Sequence, residues 1–193
     1  MVTSDQKIKT FFEGSIFDID DENTIDTFLK DYSDQKVIQC LFDKLKSLST
    51  ERYSDEPSWL LGRIFGRSSN KYSVDTQLFP LLKTCTLNEK KVYLNFLSGY
   101  FDYGEPDVEI IVKIAEDIAY IIANPDDLKW DLETIALGIE VVFLAYLSNE
   151  QLFHVDKIIG NKLIQMLKTF KAYLSSFFPE SRVHQLLLRE FNE

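Results

Sequence analysis

The sequence predicts an all-α protein, an irregular antiparallel helical bundle or a short α-hairpin array. Three observations carry that expectation. Apolar residues recur at spacings of three and four from Val37 onward, the period of one helix face, while period-two alternation is nearly absent. Seven Gly and five Pro in 193 residues are too few turn-formers for a sandwich or barrel of many short strands. Hydrophobic residues at 45% and charged residues at 27% are the balance of a chain that buries a core without disulfides or metal.

The elements follow in order. Ser33 precedes Val37, Ile38, Leu41, Phe42, Leu45 and Leu48, one apolar helix face. Pro57 stands in the first turn of the next helix, ahead of Trp59, Leu60, Leu61, Ile64 and Phe65. Ser73 caps a short helix interrupted near Pro80. Thr86 and Glu89 form a capping box before Val92, Tyr93, Phe96 and Leu97, and Gly99 and Gly104 bracket the frayed end of that helix. Pro106 opens a helix through Val108, Ile111, Ile114, Ala115, Ile118 and Ile122, which Asn124-Pro125 stops. Asp126 or Asp127 starts another, through Leu128, Leu132, Ile135, Ile139, Val142 and Leu147. Ser148 and Gln151 form a second capping box before one long helix with Leu152, Val155, Ile159, Leu163, Met166, Phe170 and Leu174 inside. Pro179 opens the last helix, carrying Val183, Leu186, Leu187 and Phe191.

Short connections make consecutive helices antiparallel neighbours. With no linker or low-complexity stretch, residues 1–193 read as a single all-helical domain. Helical hairpins laid side by side resemble the armadillo and HEAT solenoids in architecture, although no signature position of those families repeats. The opening MVTSDQKIKTFFEG has neither an apolar core nor a small-residue cleavage site, so no secretory signal is expected. The most apolar run, Ile135 to Leu147, contains Glu140 and is shorter than the roughly 20 residues a bilayer span needs. A cytoplasmic protein without membrane contact is therefore expected, with Cys40 and Cys85 as free, mostly buried thiols.

The formal net charge is −10, and the acidity lies in two blocks. Residues 1–34 hold 3 positive and 9 negative charges, and residues 92–156 hold 2 and 13. An acidic surface repels the phosphate backbone, which argues against nucleic acid as a partner. Arg52, Arg63, Arg67, Lys71, Lys83, Lys90 and Lys91 lie between the blocks and read as a solvated face.

No motif marks catalysis or a cofactor. Asp18, Asp20, Glu22, Thr24 and Asp26 take alternate positions of an EF-hand-like loop, but Asn23 stands where the turn needs Gly and Leu29 where a bidentate Glu belongs. An acidic helix N-terminus explains the same residues. A helical-bundle metal enzyme needs Glu three residues before His, and here Gln151 precedes His154 and Ser181 precedes His184. Gly62-Arg-Ile-Phe-Gly66 is a small-xxx-small pair inside a helix, read as close packing or fraying rather than a phosphate loop.

Tyrosines and acids recur together at helix junctions: Asp31-Tyr32-Ser33-Asp34, Tyr53-Ser54-Asp55-Glu56, Tyr72-Ser73-Val74-Asp75 and Tyr100 to Asp107. Such segments suit helix capping, and they also suit a binding surface. An acidic helical chain with the segments Tyr100 to Asp107 and Asp18 to Asp26 resembles, in general character, the immunity proteins of bacterial toxin systems. These include the partners of contact-dependent growth inhibition toxins and of nuclease bacteriocins. The resemblance implies a non-catalytic toxin inhibitor that binds a basic cognate toxin domain directly. The residues expected to bind are Tyr100, Asp102, Tyr103, Glu105 and Asp107, then Asp18, Asp20, Asp21 and Glu22. The alternative is a helical scaffold or adaptor that presents a groove to a host protein or peptide.

Overall fold

The computed structural model describes residues 32–68, 74–104, 107–124 and 130–191. Their regular structure is entirely α-helical, nine helices and no strand among the described residues. The chain divides into two compact units, Met1–Gly104 and Glu105–Glu193, within the span that the sequence assigns to one domain.

The first unit holds α1 (Asp34–Leu48), α2 (Asp55–Arg67), α3 (Val74–Leu82) and α4 (Leu87–Tyr103). The apolar spacing of α1 buries Val37, Ile38, Leu41, Leu45 and Leu48 as expected. The other three helices all pack against α4, and α2 does so most extensively. Asp55, at the start of α2, accepts a hydrogen bond from Asn95 Nδ2 at 2.9 Å. Gly66, near the end of α2, approaches Gly104 just past the end of α4. The two helices therefore run parallel, with α3 lying between them in the sequence. Short connections lead one to expect consecutive helices as the main neighbours, whereas the most extensive pairing here is between the alternate helices α2 and α4.

The α2–α4 seam is closed by absent side chains. A Cβ on Gly62 would stand 1.9 Å from the Phe96 carbonyl oxygen, and one on Gly99 would stand 2.2 Å from that of Trp59. Small residues at such spacing let two helix backbones touch, with Cα–H groups facing carbonyls. Gly99 is thus a packing residue well inside α4, and the frayed end expected there is not found. Phe65, Phe96 and Tyr100 fill the core beside the seam, with ring centroids 6.1–6.2 Å apart in sequence.

Three local expectations meet the structure here. The capping box forms in full, the Thr86 amide donating to Glu89 Oε2 at 2.8 Å while the Glu89 amide donates to Thr86 Oγ1. Pro80 lies within α3 instead of interrupting it. Lys90, read as part of a solvated face, is 1% exposed. Its ammonium donates to the Leu82 carbonyl, placing positive charge at the negative end of α3, and lies 3.9 Å from Cys85 Sγ.

The second unit holds α5 (Val108–Ala123), α6 (Leu132–Ser148), α7 (Glu150–Val155), α8 (Lys157–Phe177) and α9 (Arg182–Glu190). Helices α5, α6 and α8 pack on one another, and α9 lies against α6 and α8. Ser175 meets His184 while Lys171 reaches the Phe191 carbonyl, so α9 runs antiparallel along α8. The core is mainly aliphatic, with Ile111, Ile114, Ile118, Ile139, Val142, Leu163 and Leu167 fully or almost fully buried alongside Phe143 and Phe170. Ile135 to Leu147 lies within α6, and no helix among the described residues is long and apolar enough to cross a membrane.

Helix starts in this unit shift from the expected ones. Asp131, rather than Asp126 or Asp127, caps α6, its carboxylate accepting from the Thr134 amide at 2.8 Å. The long helix expected from Ser148 is split into α7 and α8 at Asp156, which accepts from the amides of Ile158 and Ile159 and so starts a new helix. Gly160 makes room for the Phe153 carbonyl at that bend, where its Cβ would stand at 2.3 Å. Ser181, two residues after Pro179, caps α9.

Candidate functional site

The expected binding residues separate when placed. Tyr100, Asp102 and Tyr103 belong to the first unit and Asp107 to the second. Asp18, Asp20, Asp21, Glu22 and Glu105 lie outside the described residues, as does the whole EF-hand-like segment. Tyr100 is buried at 5% exposure, stacked on Phe96 and tilted against Phe101. Burial, followed by the nearby Asp75 carboxylate, pushes its hydroxyl far above the ordinary range. Its ring is a core element of α4 and offers no surface. Asp107 is exposed, and its carboxylate accepts from the Glu109 amide at 2.9 Å as the N-cap of α5. Asp102 and Tyr103 remain as exposed residues on the last turn of α4.

Tyr103 has company that the sequence pattern did not bring forward. The Arg67 guanidinium carbon lies 4.0 Å from the centre of its ring and that of Arg63 lies 5.0 Å away. Arg63 is also 5.8 Å from the Trp59 ring. Trp59, Arg63 and Arg67 succeed one another at intervals of four along α2, so they share one stripe. The glycine seam sets this geometry, since Gly99 lies directly against the Trp59–Arg63 backbone and Tyr103 follows one turn later. The i, i+4 signal was present in the sequence. What it lacked was the parallel partner helix that brings Tyr103 across.

The other chemistry-bearing groups have local roles. His154 Nε2 lies 3.1 Å from Glu150 Oε1 on the exposed face of α7. His184 is buried, its Nδ1–H donating to the Pro179 carbonyl at 2.8 Å, which leaves Nε2 to face Ser175 Oγ at 2.8 Å. Those are the distances of a nucleophile and its base. Ser175 Oγ also lies 2.9 Å from the Lys171 carbonyl of its own helix, the usual position for a mid-helix serine. The chain of contacts ties the α8–α9 turn to the end of α8. Cys40 and Cys85 are free and half-buried, and burial pushes both thiols up. No group of three or more metal-ligating side chains converges among the described residues.

No family model, curated protein or solved structure matches the chain.

Proposed function

We propose that the chain is a non-catalytic binding protein, an immunity protein that neutralises a basic cognate toxin domain by direct contact. The observation that carries this reading is Tyr103, 38% exposed beside the exposed Asp102, on a helix end held by the closely packed seam. A tyrosine fixed in place before binding gives up little freedom on contact. The net charge of −10 favours fast encounter with a basic partner over an acidic one.

The test is protection of cells that express a toxin encoded beside this gene. The unaltered chain protects, and the Asp102→Lys/Glu105→Lys double variant does not, while its thermal midpoint stays within a few degrees. Asp107 is left in place because it caps α5. Protection by the double variant, or none by the unaltered chain, sinks the proposal.

One observation favours a scaffold as the second reading. Val155 and Ile158 in the second unit are 87% and 83% exposed, with Leu152 partly exposed on the same short stretch. A protein that held a peptide there would lose it on Ile158→Asp and ignore Asp102→Lys.

A further inference from the structure

We infer that the Trp59–Arg63–Tyr103 stack is a recognition site for a carboxylate side chain on a protein partner. The inference deepens the binding reading above and rests on it. Arg63 is half-buried beside two aromatic rings, at 5.8 Å from the Trp59 centre and 5.0 Å from that of Tyr103. An aromatic ring engages the face of a guanidinium and leaves its N–H edge able to bond, the edge that matches a carboxylate in bidentate fashion. Arg63 forms no ion pair among the described residues, so none of the described carboxylates meets the charge on that donor edge.

The composition points to a protein rather than a polyanion. Trp, Tyr and Arg are the residues that dominate protein–protein binding energy when clustered and rigid. The net charge of −10 repels a nucleic-acid backbone over its whole length, whereas one carboxylate on an otherwise basic surface meets only this local positive stack. Arg67 lies over the same Tyr103 ring at 4.0 Å and helps hold that ring in place. The stack thus gives the acidic protein a point of opposite sign, which fixes the register of a partner drawn in by charge of the usual sign.

The experiment is an NMR titration of the full chain with a short Lys-Gly peptide carrying a single Glu, followed at Arg63 Nε–H and Trp59 Nε1–H. A saturable shift at both groups is expected with half-saturation near or below about 1 mM. The counterpart with Gln in place of that Glu should give none, and Arg63→Lys should weaken the shift at Trp59 at least tenfold with the remaining spectrum unchanged. Equal shifts with the Gln peptide, undiminished binding by Arg63→Lys, or no shift overturn the inference. Tighter binding of inorganic phosphate than of the peptide also overturns it, assigning the stack to a phosphoryl group. Failure here together with intact cellular protection would leave the toxin-neutralising reading standing, and the reverse result would separate the two in the other direction.

Discussion

The two units reach stability by different routes. In the first, α2 and α4 press backbone against backbone, so the contact is made by residues that lack side chains. In the second, α5, α6 and α8 meet through buried isoleucine, leucine and valine, and four of its five helix starts carry an N-cap side chain with a bonded amide. Of the first unit's helices, α1 and α2 have cap serines whose side chains make no such bond. Backbone contact is short-ranged and intolerant, while side-chain packing adjusts. A methyl group added at the α2–α4 seam of the first unit therefore matters more than one added where α5 meets α6 in the second.

The sharpest way to break the contrast is one methyl group in each unit. In Gly62→Ala the new Cβ would meet the Phe96 carbonyl at 1.9 Å, and nothing on the backbone can rotate away. In Gly138→Ala the neighbours are the Ile118 Cδ1 and Trp130 ring, at 2.8 and 2.9 Å, both side-chain atoms. Overpacking costs typically 1–3 kcal/mol and occasionally more, so about 3 kcal/mol or above is expected for Gly62→Ala and roughly 1 kcal/mol for Gly138→Ala. Urea unfolding reads both, with Trp59 reporting on the first unit and Trp130 on the second. Equal losses would dissolve the distinction.

A smaller effect of opposite sign is expected in the second unit. Thr134 Oγ1 is buried with no hydrogen-bond partner among the described residues. Thr134→Val keeps the shape and removes the orphaned hydroxyl, and should stabilise by about 1 kcal/mol. A loss of stability in the same urea assay would mean that the hydroxyl is satisfied in solution.

The smallest expected effects are in pH dependence, where the units pull in opposite directions. Hydrogen bonds from the Thr86 amide and hydroxyl hold the Glu89 carboxyl below its ordinary 4.5. Its contribution is present above that range and is lost as pH falls through the lowered folded value. Burial pushes Glu140 in α6 up, with Arg182 opposing. The unfolded chain then releases that proton first, so stability falls as pH rises from 4.5 toward the raised folded value. Glu89→Gln and Glu140→Gln should flatten these two slopes separately, as measured by thermal midpoints from pH 3 to 7.

What was legible in the sequence was local. Apolar spacing marked the buried face of α1, and Thr86 with Glu89 marked the start of α4, because both signals lie within one or two turns. Asp156 escaped notice because a short polar residue within a helical pattern looks exposed until its carboxylate is seen to bind the next two amides. Lys90 escaped because its charge predicts solvent, and only the fold brings the Leu82 carbonyl to it. The site was legible in part. Tyr103 and Asp102 do stand at the surface, but Tyr100 three positions earlier faces the core, a helical period that the acidic–aromatic composition conceals. The Arg63 stack depends on a parallel pairing across α3, and no local pattern announces which helix will lie beside which.

That parallel pairing also orders events in time. Gly62 waits for Phe96 and Tyr100, roughly 35 positions downstream, and such closure must be complete before its contacts return any stability. On the ribosome, α2 emerges with its bare glycine face unopposed and stays so while α3 is made. A nascent chain that stalls before Gly99 has no partner backbone for α2, so the first half of the protein becomes durable only in the final turns of α4.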